Sequence, residues 1–234
     1  MPRTIKSVCI IGISGKLGQY MTEHCLARGY TVTGVCRPES VRKLERFGDR
    51  ITVYPARTDD AAVVAEAAKD ADGILTVLAP WGRGTYASDT ARAVINAAKP
   101  DARLIFSCGW HITRDGKDRF SWKINAIIRV SPVFRWLGLA NIADQYTATD
   151  MIFDSGTNWT VVRGSDLEEG DSQGLPVWSD HVQDPILQSN KTRRTDFALF
   201  MVDAMTNNAL IQRAPAINGR QTQSAQSHIS QQPA

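Results

Sequence analysis

The chain has 234 residues, enough for one large domain with a full core. Its formal net charge of +3 on an ordinary globular composition is too small to make nucleic acid the expected partner, and no apolar run is long enough to span a bilayer. The four cysteines, Cys9, Cys25, Cys36 and Cys108, stand at no metal-binding spacing, and no signal peptide is visible, so the expectation is a cytoplasmic protein with reduced thiols and no metal.

The first fifty residues set the architecture. The apolar run Val8-Cys9-Ile10-Ile11 predicts a strand that enters Gly12-Ile13-Ser14-Gly15-Lys16-Leu17-Gly18. A helix over 17–28 follows, stopped at Gly29, then a strand over 31–36. Strand, glycine turn, helix and strand make a dinucleotide-binding unit. Gly12 permits the exit from the strand, Gly15 lets backbone approach a pyrophosphate, and Gly18 lets the helix pack close. The helix N-terminus offers free N–H groups to phosphate. A tight turn without a ligand is the competing reading. The residue after the second strand is Arg37, where an NAD site usually carries an acid, so NADP is expected, with Arg42 or Lys43 as helpers. A solvent-facing arginine is the alternative there.

A short helix over 39–47, a strand over 51–54, a helix over 60–68 and a strand over 73–78 continue the alternation. The last of these runs into Ala79-Pro80-Trp81-Gly82-Arg83-Gly84, at the carboxyl edge where such sheets bind ligands. A helix over 85–99 and a strand over 103–106 lead into Ser107-Cys108-Gly109-Trp110-His111. The pattern predicts an α/β fold, a Rossmann-type doubly wound parallel sheet in a single domain over 1–219. Residues 112–140 interrupt it with six cations, two aspartates and many aromatic and aliphatic residues. This insertion reads as a lid over the cofactor; a dimer contact, a membrane-surface helix or extra core are the alternatives. A helix over 140–153, a strand over 159–162, the edge loop Arg163-Gly164-Ser165-Asp166-Leu167, a loop-rich stretch over 168–190 with a short strand near Val177, and a helix over 196–205 capped by Thr195 complete the domain. Residues 220–234 are Gln/Ser-rich and predict a disordered tail.

The glycine segment, Val35-Cys36-Arg37, Asp72-Gly73-Ile74-Leu75, Leu104-Ile105-Phe106-Ser107, the run from Asp154 to Arg163, and Arg194-Thr195-Asp196-Phe197-Ala198 together resemble the atypical short-chain dehydrogenase/reductase family. The resemblance is to its NAD(P)H-binding, NmrA-like group, which includes flavin reductase/biliverdin reductase B. It implies NADP held by Gly12, Ser14, Gly15, Lys16, Leu17, Gly18 and Arg37. It adds the edge-loop residues Leu78, Ala79, Pro80, Ser107, Cys108, Gly164 and Ser165, with Arg57 at the adenine side. It also implies a substrate pocket from the C-terminal third.

The chain departs from the family at the acid–base positions. Many members use Tyr-x-x-x-Lys, in which the lysine lowers the phenol pKa. Here Tyr146 is followed by Asp150, and register from Asp154-Ser155-Gly156 puts the pair at Asn141 and Gln145. Gly109 stands two residues beyond Ser107, so the usual hydroxyl position is empty, and Asp166 replaces the histidine that the flavin reductase branch carries after its sixth strand. Hydrogen-bond donors left for an acceptor are Ser107, Asn141, Gln145 and Tyr146, with His111 as a proton carrier. Asn141 and Gln145 share one helix face, which a solvated surface also explains. Trp81, Trp110, Trp122 and Asp166 are the expected substrate contacts, and aromatic walls suit a planar ligand. The expectation is an NADPH-dependent reductase of a planar or polycyclic small molecule, acting as monomer or homodimer. A non-redox isomerase or cyclase and an NADP-sensing regulator are the alternatives.

Overall fold

The computed structural model describes residues 4–79, 84–137, 140–164 and 166–229, and the side chains there except those of Lys123 and Ile127. Its first half follows the predicted alternation: β1 (Ser7–Ile11), α1 (Lys16–Ala27), β2 (Thr31–Cys36), a 3-10 segment (Pro38–Arg50), β3 (Ile51–Pro55), α2 (Ala61–Ala68), β4 (Gly73–Val77), α3 (Tyr86–Ala97) and β5 (Arg103–Gly109). Then come α4 (Trp122–Trp136), α5 (Ile142–Asp154), β6 (Asn158–Gly164), β7 (Asp166–Glu168), β8 (Val177–Ser179), β9 (Lys191–Arg193), α6 (Arg194–Ala204), β10 (Ala216–Asn218) and α7 (Gln223–Ile229).

The main sheet has the order β3-β2-β1-β4-β5-β6-β10-β8 and is parallel except for the β10–β8 pair. Both faces are covered, so the strands read as continuous apolar runs rather than alternating ones. The alternation survives in where side chains go. Val8 and Ile10 of β1 pack with α1 and α6, whereas Cys9 and Ile11 pack with α2, α3 and α5. Leu104 and Phe106 against Ile105, and Val161 against Val162, split the same way. The chain lays down β1, β2 and β3 in one direction, then returns to β4 on the other side of β1. The carboxyl ends of β1 and β4 therefore flank a topological switch point, where open α/β sheets bind ligands.

Three expectations change. Thr195 is not the cap of α6. Arg193 precedes the helix without a side-chain cap, and Thr195 lies in the first turn with its Oγ1 3.1 Å from His24 Nε2. The end of the chain is ordered further than its composition suggests: α7 runs to Ile229, and residues 230–234 lie outside the described ones. Ser224 and Ser189 exchange backbone-to-hydroxyl bonds at 3.1 Å in each direction, and Ala225 is fully buried. A small apolar residue, the serine pair and the bonds of Ser224 with Ile186 O and Asn218 dock that helix, a signal composition does not carry. β7, β9 and β10 have three residues each, too short to show a period.

The substrate side of the sheet is tied to β6 by Arg163, whose side chain is 1% exposed. Its Nε donates to Ala214 O at 2.7 Å, Nη1 to Ile112 O at 2.9 Å and to Asp118 Oδ2 at 2.7 Å, and Nη2 to Asp180 O. Asp118, equally buried, accepts from Val182 N at 2.8 Å with its other oxygen. Removing one partner of such a pair strands a buried charge. Asp118→Asn should therefore cost about 3 kcal/mol, read as a lower urea midpoint at unchanged m-value; an unshifted midpoint would show that solvent reaches Arg163.

Candidate functional site

Of the residues expected at the cofactor, Gly12, Ser14, Gly15, Lys16, Leu17, Gly18, Arg37 and Ala79 line one cleft of about 380 Å³. Gly12 has φ +90°, which only glycine adopts without strain, and a Cβ at Gly18 would collide with the Gly12 carbonyl oxygen. The cradle is thus backbone packed on backbone, opening onto the N-terminus of α1, whose first turn carries no acid. An anionic pyrophosphate fits such a surface. The cleft is closed at its far end by Ser40, Thr58 and Tyr86. The guanidinium carbons of Arg37 and Arg57 stand 5.9 and 5.5 Å from the Tyr86 ring centre. Arg57 does not itself line the cleft, and Asp59 holds it through two bonds of 2.7 and 2.8 Å. Ser40, Thr58, Tyr86 and Arg194 escaped the sequence reading, because nothing local marks a residue that folding brings to the rim. Glu169 accepts from Lys16 Nζ at 3.1 Å and from Arg194 Nε at 3.0 Å across the mouth. The donor set fits a dinucleotide.

The other edge-loop expectations divide. Leu78 is buried, and its carbonyl accepts from Gln145 Nε2. Ser107 and Cys108 are buried at the end of β5 and do not line the cleft, and burial pushes the Cys108 thiol up to about 12. Gly164 serves packing: the Phe197 ring stands where its side chain would be. Pro80, Trp81 and Ser165 lie outside the described residues.

The acid–base expectations are revised most. Asn141 caps α5, accepting from Asp144 N at 3.3 Å, and donates to Gly84 O at 3.0 Å. Both its polar atoms are engaged within the protein. Gln145 holds Leu78, while Asp144 accepts from Ala87 N at 2.6 Å and from Ser88 Oγ at 2.5 Å. The first turn of α5 therefore clamps the two ends of the loop between β4 and α3. Asp144 was missed because its partner is the N-terminus of another helix, 57 positions away. Tyr146 donates to His111 O at 3.3 Å, and burial raises its phenol pKa, so it is no ready proton donor.

His111 gains what these residues lose. A Cβ on Gly109 would lie 2.7 Å from His111 Nδ1. The imidazole thus fills the space left by the missing side chain at 109. Tyr146 packs edge-on at 5.6 Å between ring centres. Burial lowers the His111 pKa from 6.5, and the neighbouring Gln145 side chain opposes that shift. Even so, neither His111 Nε2 nor Gln145 Oε1 has a partner of good geometry among the described residues. Both atoms are shielded from solvent and belong to side chains that face each other, and neither residue lines the cleft.

A second cavity, of about 600 Å³, opens beyond β5 and β6. Trp110, Trp122 and Asp166 line it as expected, with Phe120, Ile124 and Lys191. Trp110 is fixed by Nε1 donating to Arg163 O at 3.1 Å. The cavity and the cleft are joined by the segment 166–169: Asp166 faces one, and Glu169 bridges Lys16 and Arg194 at the other.

Gly109→Ala should displace the His111 ring and lower the melting temperature by several degrees, for about 1–2 kcal/mol of overpacking. NADPH binding, measured by fluorescence, should be unchanged; equal stability would mean that the ring does not fill this space.

Comparison with known proteins agrees with this construction. A family model described as NAD(P)H-binding matches residues 12–208. No curated protein matches the sequence significantly. Among solved structures, a short-chain dehydrogenase/reductase from Veillonella parvula in complex with NADP superposes with a TM-score of 0.70 at 15% identity, covering 94% of this chain and 97% of that one. Anaerobillin reductase ChuY from Escherichia coli gives 0.67 at 21% identity, covering 98% and 100%. A protein described as a possible epimerase from Bacteroides thetaiotaomicron gives 0.68 at 18% identity, covering 92% and 98%. At these identities the likeness establishes the fold. Switch-point cleft, glycine cradle and matched family model together assign the chain: it belongs to the NAD(P)H-binding family and has a Rossmann fold like that of the superposed structures.

Proposed function

We propose that this protein is an NADPH-dependent reductase of a planar or polycyclic small molecule of the flavin, quinone or ketone type. The observation that carries the reading is the adjacency of the phosphate-cradling cleft and an aromatic-walled cavity along one sheet edge, joined through residues 166–169. Structural similarity to an anaerobillin reductase supports it at the level of fold. When bound, NADPH supplies a hydride. The protein holds its phosphates on the glycine cradle, and Arg37, with Arg57 behind it, favours the 2′-phosphate. Trp110 and Trp122 orient a flat acceptor by stacking. His111, neutral near pH 7 because burial disfavours its cation, donates a hydrogen bond to the oxygen that gains charge. The remaining proton comes from water.

Loss of NADPH absorbance with a panel of flavins and quinones tests the reading, and no turnover across the panel would sink it. Product formed without cofactor consumption would instead favour an isomerase or cyclase. Arg37→Ala should weaken NADPH binding about ten-fold or more and leave NADH binding nearly unchanged, since a lost charge-assisted contact costs about 1.5–3 kcal/mol. Equal effects on both cofactors would move the 2′-phosphate elsewhere.

The sign of the pH dependence follows from the lowered His111 pKa. A neutral ring that only donates a hydrogen bond keeps kcat flat above pH 6.5, and protonation below the lowered pKa leaves that N–H in place, so no acidic loss of rate is expected. His111→Phe should lower kcat about 100-fold at every pH. A rate that rises on acidification would assign the active form to the imidazolium.

A further inference from the structure

We infer that α4 docks on an anionic lipid surface, lying in the plane of the interface as a peripheral anchor. The helix faces outward with its apolar side. Trp122, Ala126, Val130, Val133 and Leu137 recur at steps of four, four, three and four, which is one stripe of a helix, and all five are exposed. Trp122 and Trp136 are each 76% exposed, Val133 51%, Leu137 49% and Val130 43%. The inner side, with Ile124, Ile128 and Phe134, is half-buried, and no described residue of the helix is fully buried. A surface helix of a water-facing protein shows the reverse arrangement.

Charge selects the occupant. From Arg119 to Leu137 the sequence has Arg119, Lys123, Arg129 and Arg135 and no Asp or Glu; the next acid after Asp118 is Asp144. Arg129 is exposed within the apolar stripe itself. A two-fold contact through the stripe would bring Arg129 toward its own image, with no acid on the helix to meet it. Anionic headgroups satisfy the cations while the stripe enters the acyl boundary. The two tryptophans sit 14 positions apart, about 21 Å along the helix, at its two ends, where interfacial anchors belong. The consequence for access is direct. Trp122 also lines the 600 Å³ cavity, so docking turns the cavity mouth toward the lipid. Uptake of a membrane-dissolved acceptor would follow, and that clause rests on the reductase reading.

The test is flotation of the whole protein with phosphatidylcholine vesicles, with and without about 40% phosphatidylglycerol, at about 0.05 and 0.5 M salt. Co-flotation is expected with anionic vesicles at low salt, with a blue-shifted tryptophan emission, and not with neutral vesicles. Val133→Ser/Trp136→Ser and Arg129→Glu, which lie away from the cavity, should each weaken partition about ten-fold. Three outcomes would overturn the inference: no co-flotation at low salt, co-flotation that the variants leave unchanged, or a vesicle-independent dimer in sedimentation equilibrium that Val133→Ser/Trp136→Ser dissolves. NADPH oxidation with a vesicle-dissolved long-chain quinone and with a water-soluble one separates the two readings. Flotation without turnover of either leaves the anchor standing and removes the reductase; turnover of the soluble quinone without flotation does the opposite.

Discussion

The cavity side of this molecule depends on one buried charge. A guanidinium inside a protein is tolerable when its nitrogens find partners. Arg163 meets them with two carbonyls from segments on either side of β6, a third from the loop after β8, and the carboxylate of Asp118. Those contacts draw residues 112–118, 180–182 and 213–214 onto one strand. Trp110, the wall of the cavity, then hydrogen-bonds the carbonyl of the same arginine. The cavity is consequently rigid at its base. Its outer wall is α4, which contributes no fully buried described residue.

The nucleotide side has a different logic. It is built from backbone, with glycine permitting the close approach of Gly12 and Gly18. Its rigidity comes from a clamp rather than a buried charge. Asp144 sits at the N-terminus of α3, where a carboxylate meets free N–H groups and the positive end of the helix dipole. Asn141 and Gln145 hold the flanking carbonyls of Gly84 and Leu78. The helix that carries acid–base catalysts in many short-chain dehydrogenases is here a loop clamp. The space above Gly109, where many relatives carry a hydroxyl, is filled by an imidazole instead.

This division explains what was legible in the sequence. The doubly wound sheet was readable because β1, β4 and β5 are buried on both faces and mostly apolar, and Gly29 and Asp60 punctuate them. The glycine cradle and Arg37 were readable because their roles are local to one turn. Local rules fail where the determining contact is distant. Asn141 and Gln145 share a helix face, as their spacing predicts, and that face meets the backbone carbonyls of Gly84 and Leu78, which their spacing does not show. Thr195 has cap chemistry, yet the helix begins one residue earlier and its hydroxyl faces His24. The Gln/Ser-rich end looked unable to fold alone, and it does not fold alone: Ser189 and Ser224 supply reciprocal bonds that neither segment has by itself.

Gly109 shows how an absence in sequence becomes a presence in structure. Read alone, it deletes the hydroxyl that many relatives place beside the cofactor. Removing that side chain opens a volume at the half-buried end of β5, and the packing there fills it. The nearest ring able to turn into it belongs to His111, two residues on, and it arrives with its outer nitrogen unpartnered and its charge suppressed by burial. A neutral imidazole donates a hydrogen bond and gives up no proton, unlike a lysine-activated phenol. A site built this way suits an acceptor whose reduced oxygen is stabilised by delocalisation and takes its proton from solvent, which is the chemistry of flat conjugated systems. The aromatic cavity and the imidazole thus argue for the same class of substrate from independent directions.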